Sequence, residues 1–180
     1  MAVPAAVLER IEESLKPHGL ALRGAFHPVA EDGVPELEGR SCGTILLLGN
    51  LGGSIWPAFN ASPERADGAP HGLDRWTRRI LGSLAPEFGA RALFPFGGPP
   101  WLPFQRWAMK ADSVAPSPLG ILIHPDYGLW HAYRGAFAFA GSSHASKTRS
   151  AEALKRWVTR TALRFSMLMP APSDGIHPFG

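Results

Sequence analysis

The residues whose types could do chemistry gather between Pro103 and Arg134. Gln105 and Arg106 follow Phe104 in a stretch otherwise rich in aromatics. His124 closes an apolar run, Leu119 to Ile123, immediately before Pro125. Tyr133 and Arg134 interrupt a second apolar run that begins at Trp130. A histidine among apolar strand residues can ligate a metal, transfer a proton or donate to a ligand amide. An arginine there needs an acid or a bound anion, because charged side chains are rarely buried unpaired. The plainer reading is that His124 hydrogen-bonds its own turn and that Arg134 pairs with Asp126 or Asp112. Residue types and spacing alone favour it.

A second candidate is Gly49-Asn50-Leu51-Gly52-Gly53, which follows an apolar run. Glycines at such a place let a ligand reach backbone N–H groups, and a helix starting there presents a positive end to phosphate. The pattern is neither GxGxxG nor a P-loop, and spacing alone favours a turn that needs positive φ angles. For metal, His124 and His131 stand apart from any cysteine or acid at zinc spacing, and neither HExxH nor CxxC occurs. No GxSxG elbow is present. Cys42 is the single cysteine. It reads as a small buried hydrophobe rather than a nucleophile, and alone it supports neither an intrachain disulfide nor an iron–sulfur cluster.

These residues need elements to position them. Val7, Leu8, Ile11 and Leu15 predict a helix from Pro4 to Lys16, stopped by Pro17 and Gly19. Leu20 to Pro28 reads as a strand with Leu20, Leu22 and Phe26 on one face. Glu31 to Arg40 reads as a loop or hairpin end. The continuous apolar run Gly43 to Gly49 predicts a central strand buried on both sides, and Asn60 to Gly72 an exposed loop. Leu73, Trp76, Ile80, Leu81 and Leu84 line one side of an amphipathic helix, with Arg75, Arg78 and Arg79 facing out. Ala90 to Phe94 is a short strand, and Phe96 to Pro103 is too rich in glycine and proline for regular structure. Phe104 to Ala111 is a short helix. Leu119 to His124 and Trp130 to Ala140 are expected to pair as antiparallel strands about the turn Pro125 to Gly128. Ser150 to Met169 is a further helix, followed by a frayed end. Irregular alternation of helices and strands points to an α+β fold with an antiparallel or mixed sheet flanked by helices.

Composition narrows the function classes. The chain has 180 residues, of which 45% are hydrophobic, enough for one domain with its own core. Residues 1–140 carry 12 Lys and Arg against 13 Asp and Glu, whereas residues 141–180 carry 6 against 2. The expected division is therefore a near-neutral body, 1–140, and a basic, cysteine-free C-terminal helix and tail, 141–180. A neutral body argues against nucleic acid as a partner; the basic tail suits docking to an acidic redox partner. Charges at Glu9, Arg10, Glu12 and Glu13 break any apolar leader, and no run approaches a membrane span. The expectation is a cytoplasmic protein without a membrane partner.

The segment Phe104-Gln105-Arg106, followed by Ile123-His124-Pro125, Gly128, Trp130 and Arg134-Gly135, resembles the core of the cobalamin-processing family, the CblC-type decyanases and dealkylases. The clear resemblance covers about forty residues, and a weaker one reaches back to the helix at Leu73. More distantly, the same block resembles the corrinoid domain of epoxyqueuosine reductase. There, a ferredoxin-like segment with cysteine-ligated clusters follows. Here Gly141 to Gly180 contains no cysteine, and Gly98 stands where that enzyme needs an acid.

The resemblance implies a nitroreductase-like fold with a large apolar cavity that binds cobalamin base-off. Flavin or glutathione would supply the electrons or thiolate that remove the upper ligand. It implies that Trp101, Trp107 and Trp130 cover the corrin faces. Gln105, His124 and the Gly49, Asn50 and Gly52 turn would bond its amides, with Arg106, Tyr133 and Arg134 also at the site. Arg134 would hold a phosphate or a carboxylate. Two other readings stay open: an FMN-dependent reductase without corrinoid, with Arg106 or Arg134 on the phosphate and a homodimeric assembly, or a non-enzymatic carrier or redox-partner module.

Overall fold

The computed structural model describes residues 3–141. The helix and frayed end expected from Ser150 onward lie outside the described residues. Helix α1 (Ala5–Leu15) buries Leu8, Ile11 and Leu15, as the spacing predicts. Strand β1 (Ala21–Phe26) follows, then β2 (Cys42–Leu51), the short helices α2 (Trp56–Asn60) and α3 (Pro63–Ala66), and the long helix α4 (Gly72–Glu87). Strand β3 (Arg91–Leu93) leads through an irregular stretch to helix α5 (Phe104–Ala111). Two-residue strands β4 (Ala115–Pro116) and β5 (Leu122–Ile123) precede β6 (His131–Ala140). The main sheet has the order β1-β2-β6-β3, and each of its pairings is antiparallel. The architecture is α+β.

Strand β2 explains the layering. Successive side chains of a strand point to opposite faces, so a continuous apolar run requires cover on both. Leu46 and Leu48 face α1 and α4 together with Phe137, Trp76 and Leu81. Ile45 and Leu47 face α5 together with Phe104, Trp107 and Ala136. All four β2 residues are fully buried. Two hydrophobic clusters thus sandwich one sheet, with α1 and α4 on one side and α5 on the other.

Strand β1 departs from expectation. Leu22 packs in the α1–α4 cluster and Phe26 in the α5 cluster, although even spacing places them on one face. The register between β1 and β2 shifts between Leu22 and Gly24. That bulge adds one residue, Arg23, and reverses the alternation beyond it. Gly24 then faces α5 so closely that a Cβ would lie 2.1 Å from the Ala111 carbonyl oxygen.

Two further expectations are corrected. The stretch from Asn60 to Gly72 contains α3, capped by Ser62 Oγ, which accepts from the Arg65 N–H at 3.3 Å. It is tied to α4 by Arg75 on Asp67 (2.7 Å) and Arg79 on Glu64 (2.9 Å). Arg75 and Arg79 do point away from the core, but toward these acids. Leu119 to His124 is not a buried strand pairing with β6. Only Leu122 and Ile123 are extended, paired with Ala115 and Pro116, and Leu119 is 82% exposed. The partner place beside β6 is taken by β2, a ten-residue strand rather than a short ribbon.

Gly24→Ala is expected to destabilise the fold by about 1–3 kcal/mol, because backbone must move to admit the methyl group. Gly82→Ala, in α4 with nothing within 4 Å of its Cβ position, is expected to stabilise by about 0.5–1 kcal/mol. Urea denaturation of both variants checks the contrast.

Candidate functional site

The ends of β1, β2 and β6 nearest Leu51 and His131 are irregular, and the polar residues collect there. Leu48 pairs with Gly135 but Gly49 with Tyr133, so Arg134 is an extra residue bulged from β6. The bulge lets Tyr133 turn toward α5 while Arg134 turns toward Asn50. Gly49 makes the close approach there, since a Cβ would lie 2.0 Å from the Ala132 carbonyl oxygen.

Asn50 joins the two sides of the sheet. It is only 6% exposed. Its Oδ1 accepts from Arg134 Nε at 3.0 Å, its amide nitrogen donates to the Gly52 carbonyl at 3.0 Å, and its own carbonyl accepts from Arg23 at 3.1 Å. Arg23, brought inward by the β1 bulge, also donates to Asp112 Oδ2 at 2.9 Å and lies 4.8 Å above the Tyr133 ring. The Tyr133 hydroxyl donates to the same Asp112 oxygen at 2.8 Å. Burial pushes the Tyr133 phenol well above its ordinary range, with the Asp112 charge and hydrogen bond adding to the rise.

The histidines border this network. His124 Nδ1 accepts from the backbone N–H groups of Asp126 (3.1 Å) and Tyr127 (3.3 Å), which is the plainer role expected from its turn. His131 lies with its ring 5.8 Å from that of His124. Its Nε2 is 3.0 Å from the Leu122 carbonyl and its Nδ1 is 3.4 Å from Arg23 Nη2. A carbonyl only accepts and a guanidinium only donates, so His131 is neutral with its proton on Nε2. Both imidazoles sit below the ordinary histidine value, through burial first and then the Arg23 charge, with Asp112 opposing. Neither His131 nitrogen is free to ligate a metal. Among the described residues no group of three His, Cys, Asp or Glu is placed to hold one.

The other predicted residues divide. Gln105 is exposed on α5, its amide 3.3 Å from the Gly120 carbonyl. Arg106, also exposed, lies toward Gly33 and Asp32, away from the Asn50 network. Trp130 is 79% exposed, and its carbonyl accepts from Gly52 N–H at 2.6 Å. Gly49 and Asn50 belong to β2, and the turn starts at Gly52, whose φ is +55°. The Gly52 N–H is therefore committed to Trp130 rather than offered to a phosphate. Trp107 is fully buried, with its indole N–H on the Asp32 carbonyl at 2.8 Å, so it covers no ligand face. Arg134 pairs with neither Asp126 nor Asp112; Arg23 occupies the latter. Burial holds the Arg134 guanidinium below its ordinary value, opposed by Asp74. Cys42 is pushed up to about 11 by burial and stays a thiol.

Beside this network the apolar side chains form an open face rather than an enclosed cavity. Leu119, Ile121, Leu129 and Trp130 are all substantially exposed. A half-open groove of about 500 Å³ lies elsewhere, between the end of α4, β3 and the turn at Leu37 to Arg40. None of the predicted site residues lines it. Among the described residues no helix is long and apolar enough to cross a membrane. Arg23, which sequence reasoning passed over, and Asp112, which it offered to Arg134, form the buried ion pair of the site. The only sign was an arginine set between Leu22 and Gly24 in an apolar strand. No protein-family model matches the chain, and no curated protein matches it.

Asp112→Ala is expected to cost about 3–5 kcal/mol, because it leaves the Arg23 charge buried without its partner. Tyr133→Phe is expected to cost about 1.5–3 kcal/mol, for the loss of one donor to a charged acceptor. Asp67→Ala, which breaks a solvent-exposed pair, is expected to cost under about 1 kcal/mol. Chemical denaturation of the three variants tests the order.

Proposed function

We propose that this chain binds a corrinoid on the open face beside the Asn50 network, within a nitroreductase-like arrangement of its sheet and helices. The observation that carries the reading is an unused donor at His124, on the Ser117 to Trp130 side of the sheet, with a second, at Arg134, on the opposite face. Arg134 spends Nε on Asn50, and its outer guanidinium edge meets no acceptor among the described residues. His124 spends Nδ1 as an acceptor, which leaves its proton on Nε2, again without an acceptor among the described residues.

A corrin is broad and amphipathic, apolar on its faces and set with amides at its rim. Trp130 and Leu129 offer exposed apolar surface for a face. The His124 Nε2–H and the Gln105 amide suit rim amides; the Arg134 edge, on the opposite face of the sheet, suits an anion such as the phosphodiester of an extended nucleotide tail through a paired N–H fork. Among the described residues, His131 is held at both nitrogens and His124 presents a protonated nitrogen, so neither would ligate a metal in this arrangement. A bound corrinoid would supply the redox chemistry, and the protein's own part would be to bind and orient it. Removal of an upper ligand would draw on a flavin reductant or a thiol such as glutathione.

Absorbance titration of the purified chain with cob(II)alamin and cyanocobalamin is the test. A saturable shift to the base-off spectrum is expected. Replacing both His124 and Gln105 with Ala should weaken binding at least about tenfold, equivalent to about 1.4 kcal/mol. Unchanged affinity in a folded variant overturns the assignment. No spectral shift, with FMN released on denaturation, would replace it by a flavin-dependent reductase.

A further inference from the structure

The segment from Ser117 to Trp130 is a flap with few ties to the body. Its apolar side chains mostly face outward: Leu119, Ile121, Ile123, Leu129 and Trp130 are exposed, and Leu122 alone of its apolar residues is buried, at 7%. Besides the pairing of Leu122 and Ile123 with Pro116 and Ala115, its polar ties inward are the Gln105 amide on the Gly120 carbonyl, His131 Nε2 on the Leu122 carbonyl, and the Trp130 carbonyl on Gly52 N–H. Its tip, from His124 to Gly128, is closed by reciprocal backbone hydrogen bonds of 2.9 Å between those two residues and by the two N–H groups that His124 Nδ1 accepts.

His124 makes its tie only when uncharged; His131 keeps its Nε2–H on the Leu122 carbonyl in either state, and its charge acts instead through Nδ1, on Arg23. Protonation of His124 at Nδ1 would turn its acceptor into a donor facing the N–H groups of Asp126 and Tyr127. Protonation of His131 at Nδ1 would set a donor against Arg23 Nη2, 3.4 Å away, and a cation against a cation. The two rings are 5.8 Å apart, so the second charge meets the first. The other groups facing the pair do not cancel this. Asp112 already holds Arg23 and the Tyr133 hydroxyl. Asp126 Oδ2 is 3.9 Å from His124 Nδ1, but its side chain is 69% exposed and its attraction is screened. Tyr127 and Tyr133 meet the pair in T-shaped ring contacts.

We propose that Ser117 to Trp130 is a pH-sensitive flap, held closed over the Arg23–Asp112–Tyr133 network by uncharged His124 and His131 and released when both rings take up protons. The device is a property of the chain itself and does not depend on which ligand the open face takes. Its direction follows from linkage. Both rings have their values lowered from 6.5 in the closed form, by burial first and also by Arg23, against the Leu122 hydrogen bond at His131 and the Asp112 charge at both, so the open form binds protons more tightly. Closure is complete above that value and is lost as pH falls below it, by up to about tenfold per pH unit for each proton taken up.

The test is made on the full chain by NMR. Imidazole Cε1–H shifts give the two titrations, and amide exchange at Asp126, Tyr127 and Gly128, corrected for intrinsic rates, gives closure from pH 8 to 5. Both rings should titrate below 6.5, and protection should fall at least tenfold across the range. The double variant His124→Asn, His131→Gln keeps an acceptor for the turn and a donor for Leu122 but cannot take up a proton, so its protection should not vary with pH. A ring that titrates above the ordinary value, constant protection in the unaltered chain, or an undiminished pH dependence in the variant overturns the proposal. The ring titrations are read in the unaltered chain and decide the matter even if the variant fails to fold.

Discussion

Burial of β2 on both faces is the constraint from which the rest of the structure follows. Ile45 to Leu48 have no accessible surface, so helices must cover the sheet above and below, and both neighbours of β2 must supply a continuous ladder. That requirement places the long β6 beside β2 and leaves the Leu122–Ile123 ribbon outside the main sheet. At Asn50 the same strand turns polar while still buried. A buried amide must find partners, and Asn50 finds them on both sides, in Arg134, Arg23 and Gly52. The bulges at Arg23 and Arg134 are how the two strands flanking β2 deliver those partners.

Charge at the site is organised around one acid. Asp112 follows α5 and receives both Arg23 and the Tyr133 hydroxyl, which ties the C-terminal end of α5 to two strands at once. Pairs of this kind add little net stability over apolar packing, but they are costly to break. They therefore set position more than energy: Tyr133, His131 and the flap beyond them are held where Arg23 and Asp112 put them. Arg134, on the opposite face of the sheet, has no such acid in contact among the described residues. That asymmetry leaves one guanidinium structural and the other with an edge to offer.

The same geometry separates the two histidines from catalytic use as bases. His131 is committed at both nitrogens and His124 accepts at Nδ1 from two backbone N–H groups. What they contribute is the closed form of the Ser117 to Trp130 segment. A face with exposed Trp130 and Leu129 beside a buried polar network suits a flat amphipathic ligand better than a small polar substrate.

Local pattern was enough for much of the frame. The spacing of Leu8, Ile11 and Leu15, the amphipathic face of α4, the α5 bounds and the two-sided burial of β2 are all legible in the chain, because periodicity reports which side of an element meets the core. The turn role of His124 was legible too, since it depends on residues two and three positions away. Tertiary structure alone decided the β1 and β6 bulges, which displace one residue and reverse every side chain beyond it. It alone decided that Arg23 meets Asp112, 89 positions apart, and that Arg134 takes Asn50 in place of an acid. It also decided that Leu119 to Ile123, apolar enough for a buried strand, stays outside the main sheet. Strand partnership is a competition among distant segments for a few places in the sheet, and no local pattern records who wins it.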